Sequence, residues 1–472
     1  MKQLLAAFSI ALLGRAFPLA AAPPESFTAA GLWTAWPSVR VSPSDPWSLR
    51  SARLQAVLDT LGRDYPGLFT VVDEGRSGEG RKLTVLSLGS GPLGVLLWSQ
   101  MHGDEPTATS ALLDVLAYLG KNRGSGAVKR LLSGVTLYLL PMLNPDGAER
   151  ATRRNAQGID INRDALRLQT PEGRYLKNVR DRFQPAVGYN LHNQEPLTLA
   201  GKNGEQVALA VLSVPFDEAL TENEGRRTTK RLAVFLRDDL APWAAGKIAR
   251  YDADYTARAF GDAMTRWGTA TLLIETGGAG APDEAGTLVR LNFVAILRSL
   301  QALADGSLAE VDPKAYDAIP ALVREGLFDV LVREARVANG SGLPPYLADV
   351  ALLRPRSFGG PAGSGHPGVV EMGDLSTFRG KEEIRAKGSV LVPAPPGGEE
   401  GWRGTLARLR ERKRADEGGN LLLSPEQLSL EVKAWMPEGE LLVPGYAGAL
   451  LILTPAGVGT FRLDRRLEVA PR

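Results

Sequence analysis

Residues 95–119 read VLLWSQMHGDEPTATSALLDVLAYL. Residues 95–100 form an apolar run of strand length, and HGDE is a polar turn. Pro106 suits the first turn of a helix, and residues 108–119 repeat apolar side chains at helical spacing. The same alternation continues downstream. Strands are expected at 135–140, 186–191 and 270–274, and helices at 171–183, 255–267 and 287–303. Strands alternating with helices predict an α/β fold, a mostly parallel central sheet with helices on both faces. Residues 48–303 are expected to form this domain.

Outward from it the texture changes. Residues 304–325 read as a connector, and 326–472 as a smaller β-rich domain of short apolar runs between Gly, Pro and Asn. The charged stretch 404–417 reads there as a helix with a solvated face. At the other end, residues 1–22 carry Lys2, an apolar run at 4–13 and Ala20, Ala21 and Ala22, the pattern of a secretory signal peptide, although Arg15 interrupts it. Residues 23–47 read as an N-terminal extension. No later apolar run reaches about 18 residues, so no transmembrane segment is predicted. The expected location is therefore secreted or periplasmic.

Composition narrows the chemistry. The 472 residues contain no Cys, which excludes thiolate metal sites, disulfides and a cysteine nucleophile. Lys and Arg total 55 against 53 Asp and Glu, a net charge of +2, so no strong field points to nucleic acid. Only three histidines occur: His102, His192 and His366. His102 and Glu105 follow one predicted strand, and His192 ends another. Sites in parallel sheets form outside the carboxyl ends of strands. Two His and one carboxylate suit a zinc ion with a position left open. The competing reading is that each is a hydrogen-bonded structural histidine. Glu275 ends a third apolar run and is either a base for acid/base work or an acid near a helix N-terminus. Arg150, Arg153, Arg154 and Arg163 lie in the span between them. They form either a solvated basic loop or a grip for a substrate carboxylate.

In chain order, GRSGEGR (75–81), HGDE, NPDG, RRNAQGIDINRD (153–164), LHN and IETGG resemble the zinc carboxypeptidases related to carboxypeptidase A. The resemblance covers residues 48–303. It implies one Zn²⁺ per chain on His102, Glu105 and His192, with Glu275 as general base and acid. It further implies that Arg153 polarises the scissile carbonyl, and that Asn162 and Arg163 grip a terminal carboxylate. Tyr251 and Tyr255 are both candidates for the family's loop tyrosine. Asp164 stands where the family often has Asn, and Asn193 where it usually has Ser; both departures bear on substrate preference. Residues 327–352 resemble the strand pair opening the small β-sandwich of dihydroorotase-type amidohydrolases. With only His366 beyond Asp329, no second metal centre of that kind is expected, and His366 reads as solvated.

The resemblance implies a zinc metallocarboxypeptidase that cleaves the C-terminal bond of peptides carrying a free carboxylate, with Glu275 activating a water. The same residues would serve an envelope peptidase or amidase acting on cell-wall peptides, or a deacylase of N-acyl amino acids. A non-enzymatic binding protein is the third reading.

Overall fold

The computed structural model describes residues 27–281, 283–356, 367–395, 404, 425–437, 439–453 and 460–463. The signal-like stretch, His366 and most of the charged segment at 404–417 lie outside these residues.

The first part of the chain supplies β1 (Thr70–Arg76), β2 (Lys82–Leu88), β3 (Leu93–Ser99), β4 (Val135–Leu140), β5 (Val187–Asn193), β6 (Leu199–Ala200), β7 (Leu209–Ser213), β8 (Ile248–Arg250) and β9 (Ala270–Thr276). Eight of them form one sheet in the order β1-β2-β4-β3-β5-β9-β7-β8. Its centre, β4-β3-β5-β9, is parallel, as the alternation predicts. Its flanks are not: β1, β2 and β4 pair antiparallel, and β7 runs antiparallel to β9. β7 lies outside the alternation read from the sequence.

Side chains alternate along the central strands, so each feeds two cores. Val95 and Leu97 join one apolar cluster with the helices Thr107–Lys121 and Glu284–Asp305. Leu96 and Trp98 join another with Leu176, Val179, Phe260 and Met264 from the helices Pro171–Phe183 and Phe260–Arg266. The helix Glu284–Asp305 has the length and mean hydropathy (1.3) of a membrane span, yet 67% of that apolar window is buried here. It serves as a core helix.

The described part of the N-terminal extension belongs to the first core. Phe27, Leu32, Trp36 and Val39 are buried in it. Asp114, fully buried, accepts hydrogen bonds from Trp36 Nε1 (2.9 Å), Val41 N (2.8 Å), Ser42 N (2.9 Å) and Ser42 Oγ (2.9 Å). Asp114→Ala leaves these donors without their acceptor. It is expected to lower stability by about 3 kcal/mol or more, read by urea unfolding, with Asp114→Asn milder.

The connector is also attached to this domain. Tyr316 and Ile319 enter its core, and β10 (Leu322–Val323) pairs with β6. Beyond it, β11 (Leu327–Val337), β12 (Tyr346–Leu353), β13 (Gly368–Gly373), β14 (Arg379–Arg385), β15 (Val390–Pro393), β16 (Leu450–Leu453) and β17 (Thr460–Leu463) form a seven-stranded mixed sheet. Val330, Val332, Val350, Leu352, Leu391 and Ile452 supply its own core. The C-terminal part is thus β-rich, as expected, with one described helix, Pro425–Trp435.

Candidate metal centre and substrate cavity

Three strand ends converge on one point. β3 ends at Ser99, and the turn after it carries His102 and Glu105, closed by a Glu105 N–H to His102 carbonyl bond of 3.2 Å. The turn lies against the helix Pro145–Arg150. A Cβ on Gly103 would fall 2.0 Å from the Gly147 carbonyl carbon, so any side chain there forces the turn and the helix apart. β5 carries His192 and β9 carries Glu275, and the ladder pairs these two residues directly.

His102, Glu105 and His192 are all buried, with donor atoms within 4.8 Å of one another. His102 Nδ1 lies 2.8 Å from Glu105 Oε1, and His192 Nδ1 lies 2.6 Å from Glu105 Oε2. The two Nδ1 atoms are 3.2 Å apart. His102 Nε2 is 3.1 Å from Asp160 Oδ1; donating there leaves the Nδ1 lone pair facing the cluster. Two imidazole nitrogens and a carboxylate aimed at one point form a donor set that fits a zinc ion. Burial opposes ionisation of Glu105, but the two histidines outweigh it and hold its carboxyl far below the usual range. Burial keeps His192 below the ordinary imidazole value; for His102 the opposite holds, because Glu105 and Asp160 overcome desolvation.

A cavity of about 380 Å³ opens beside this cluster. Its walls include His102, Glu105, Arg153, Asn162, Arg163, Tyr251 and Glu275, together with Asn190, Leu212, Val214, Gly261, Asp262 and Leu273. Arg153 Nη1 stands 3.3 Å from Glu105 Oε1, and its Nε donates to Asp160 Oδ2 at 3.0 Å. Glu275 is buried with Oε2 unpartnered. Burial, reinforced by the charge of Glu105, pushes its carboxyl well above the ordinary range. Asp262 rises to about 6, chiefly through burial.

Of the site residues that the resemblance implies, all but Tyr255 and His192 line this cavity, and His192 belongs to the cluster at its wall. Tyr255 is half-buried outside the lining. Arg150 is turned away, bonded to Glu79 and the Asp146 carbonyl. The two departures from the family pattern have structural partners. Asp164 accepts from Gln169 N, Thr170 N and Thr170 Oγ1, bracing the start of the helix Pro171–Phe183. Asn193 donates its backbone N–H to Glu105 Oε2 (3.2 Å), and its side chain bonds Thr107. GRSGEGR is a brace too: Ser77, Glu79 and Arg81 bond the buried Asp146.

Two residues near the site escaped sequence reading. Asp160 sits inside a quoted motif, two positions before Asn162, and that position was its one signal. Arg324 lies in the connector, 49 residues past Glu275 by number, with no local signal at all.

Residues 54–199 match the family model described as zinc carboxypeptidase. Among curated proteins, carboxypeptidase E of Caenorhabditis elegans is 31% identical over 134 residues, covering 24% of this chain and 28% of that protein. Probable carboxypeptidase 2 of Arthroderma benhamiae is 24% identical over 261 residues, covering 50% and 49%. This chain thus spans about half the length, or less, of these relatives. Among solved structures, a metallo-carboxypeptidase from Burkholderia cenocepacia is 20% identical, with a TM-score of 0.44 over 54% of this chain and 69% of that one. A Pseudomonas aeruginosa metallo-carboxypeptidase, in complex with (2-guanidinoethylmercapto)succinic acid, is 19% identical, with a TM-score of 0.44 over 54% and 68%.

Proposed function

We propose that this protein is a zinc metallocarboxypeptidase that removes the C-terminal residue of peptides. The observation that carries the reading is a His-Glu-His donor set at the wall of one cavity that is also lined by a buried unpartnered carboxylate and an arginine for an anionic end group. His102, Glu105 and His192 would hold one zinc ion. When bound, zinc supplies Lewis acidity and makes water acidic enough to attack near neutral pH.

The chain's own residues supply the rest. Glu275 accepts the proton of the attacking water and returns it to the leaving amine. Arg153, already steered by Asp160, donates to the carbonyl oxygen as charge develops there. Asn162 is anchored through Oδ1, which accepts from Phe260 N at 2.8 Å, and Arg163 Nη1 bonds the Asn162 carbonyl at 2.7 Å. This fixed pair meets the substrate's free carboxylate. Tyr251 lines the same cavity. The signal-like residues 1–22 support export of the enzyme, to the periplasm or beyond.

A matched pair of peptides tests this, one with a free C-terminus and one amidated. Losing the charged contact to Arg163 should lower kcat/KM by about 10–100-fold, the equivalent of a charge-assisted hydrogen bond. Equal rates would remove the exopeptidase assignment. Cell-wall peptides and N-acyl amino acids in the same panel would then show which carboxylate-bearing substrate the cavity prefers.

A further inference from the structure

The connector reaches back to the candidate site. Pro320 O accepts from Arg250 N at 2.7 Å, and Ala321 bridges Arg250. Ala321 O accepts from Gly201 N at 2.8 Å, and Leu322 and Val323 then pair with Ala200 and Leu199. Leu322 is buried beside Ala200, Val207, Ala210 and Ala249, with Tyr251 packed against that cluster. Arg324, directly after Val323, places its guanidinium 4.9 Å from the Tyr251 ring centroid and forms an ion pair with Asp252. One side chain therefore holds two consecutive residues of the segment that forms one wall of the cavity. Arg324 is not itself part of the cavity lining.

From this geometry we infer that Arg324 is a positioning residue: it fastens Tyr251 over the substrate cavity, so the connector to the β-rich domain helps set the active-site wall. The planar guanidinium stacks on the ring while one edge meets Asp252, which a lysine cannot do at once. The inference rests on the proposed carboxypeptidase reading for its kinetic consequences, but the fastening itself does not.

The test is a double-mutant cycle on the full chain loaded with zinc. Arg324→Ala is expected to keep bound zinc and to lower kcat/KM on a free-carboxylate peptide about tenfold, since small misplacements in a site cost rate steeply. In a Tyr251→Ala background the same change should add less than about twofold, because the residue it acts through is gone. Arg324→Lys should fall between Arg324→Ala and the unaltered enzyme. Additive losses, or full activity in Arg324→Ala, would overturn the inference. Hydrogen exchange gives a readout independent of turnover. The amides of residues 250–253 should exchange several-fold faster in Arg324→Ala, and unchanged exchange sinks the fastening even if the enzyme proves active on another substrate. If the unaltered protein hydrolyses no peptide while exchange responds as expected, the proposed activity fails and the fastening stands.

Discussion

Glu275→Gln is expected to abolish hydrolysis while leaving the metal in place. The change keeps the size and shape of a buried side chain and removes its ability to take a proton. General-base catalysis contributes about 10²–10⁴-fold, and kcat should fall by that range. Glu275 is not one of the three clustered donors, so zinc content measured by atomic absorption should match the unaltered protein. Retained turnover would take Glu275 out of the mechanism. The sign of the pH dependence follows from the same burial. A base works only as the carboxylate, so activity disappears as pH falls through its pKa. Burial and the charge of Glu105 lift that limb above the ordinary carboxylate range, and a bound cation opposes the lift. The pH profile of kcat/KM reads where the two balance.

His102→Ala carries the other large effect, and it separates from the first by its metal content. It removes one of three donors and opens a hole between Glu105 and Asp160. Zinc should be lost on dialysis. Catalysis should fall by more than about a thousandfold, the equivalent of the several kcal/mol a Lewis acid provides. His192→Ala should behave alike. An enzyme that kept both zinc and activity after either change would refute the assigned centre. His366, the third histidine, lies outside the described residues, and its replacement is expected to alter neither zinc nor rate.

Much of this centre was legible because its residues sit where chain direction changes. Strand 135–140 and helix 171–183 are found at the expected residues, bounded by breakers and by Thr170 and Pro171 at the helix start. His102, His192 and Glu275 stand at strand ends, where a parallel sheet gathers polar groups. What escaped was held by long-range contacts. The helix expected from 255 begins at Phe260, because Asn162 binds the Phe260 amide and Asp262 binds the Thr256 amide at 2.9 Å. No local pattern announces partners nearly a hundred residues away. The same holds for Asp114 and the N-terminal segment, and for Arg324, whose role depends on where β10 docks. Only the cavity separates Tyr251, which is in its lining, from Tyr255, which is not.

The pairing of His192 with Glu275 has a consequence for how such a site can change. These two residues are rungs of one ladder, on strands that lie about 4.8 Å apart wherever sheets form. Their separation is therefore inherited from the peptide backbone, and side-chain repacking cannot tune it gradually. A slip of one residue would turn one of the pair to the opposite face. The spacing between the proposed metal ligand and the proposed base is thus insulated from drift in the surrounding loops, which stay free to reshape what the cavity accepts.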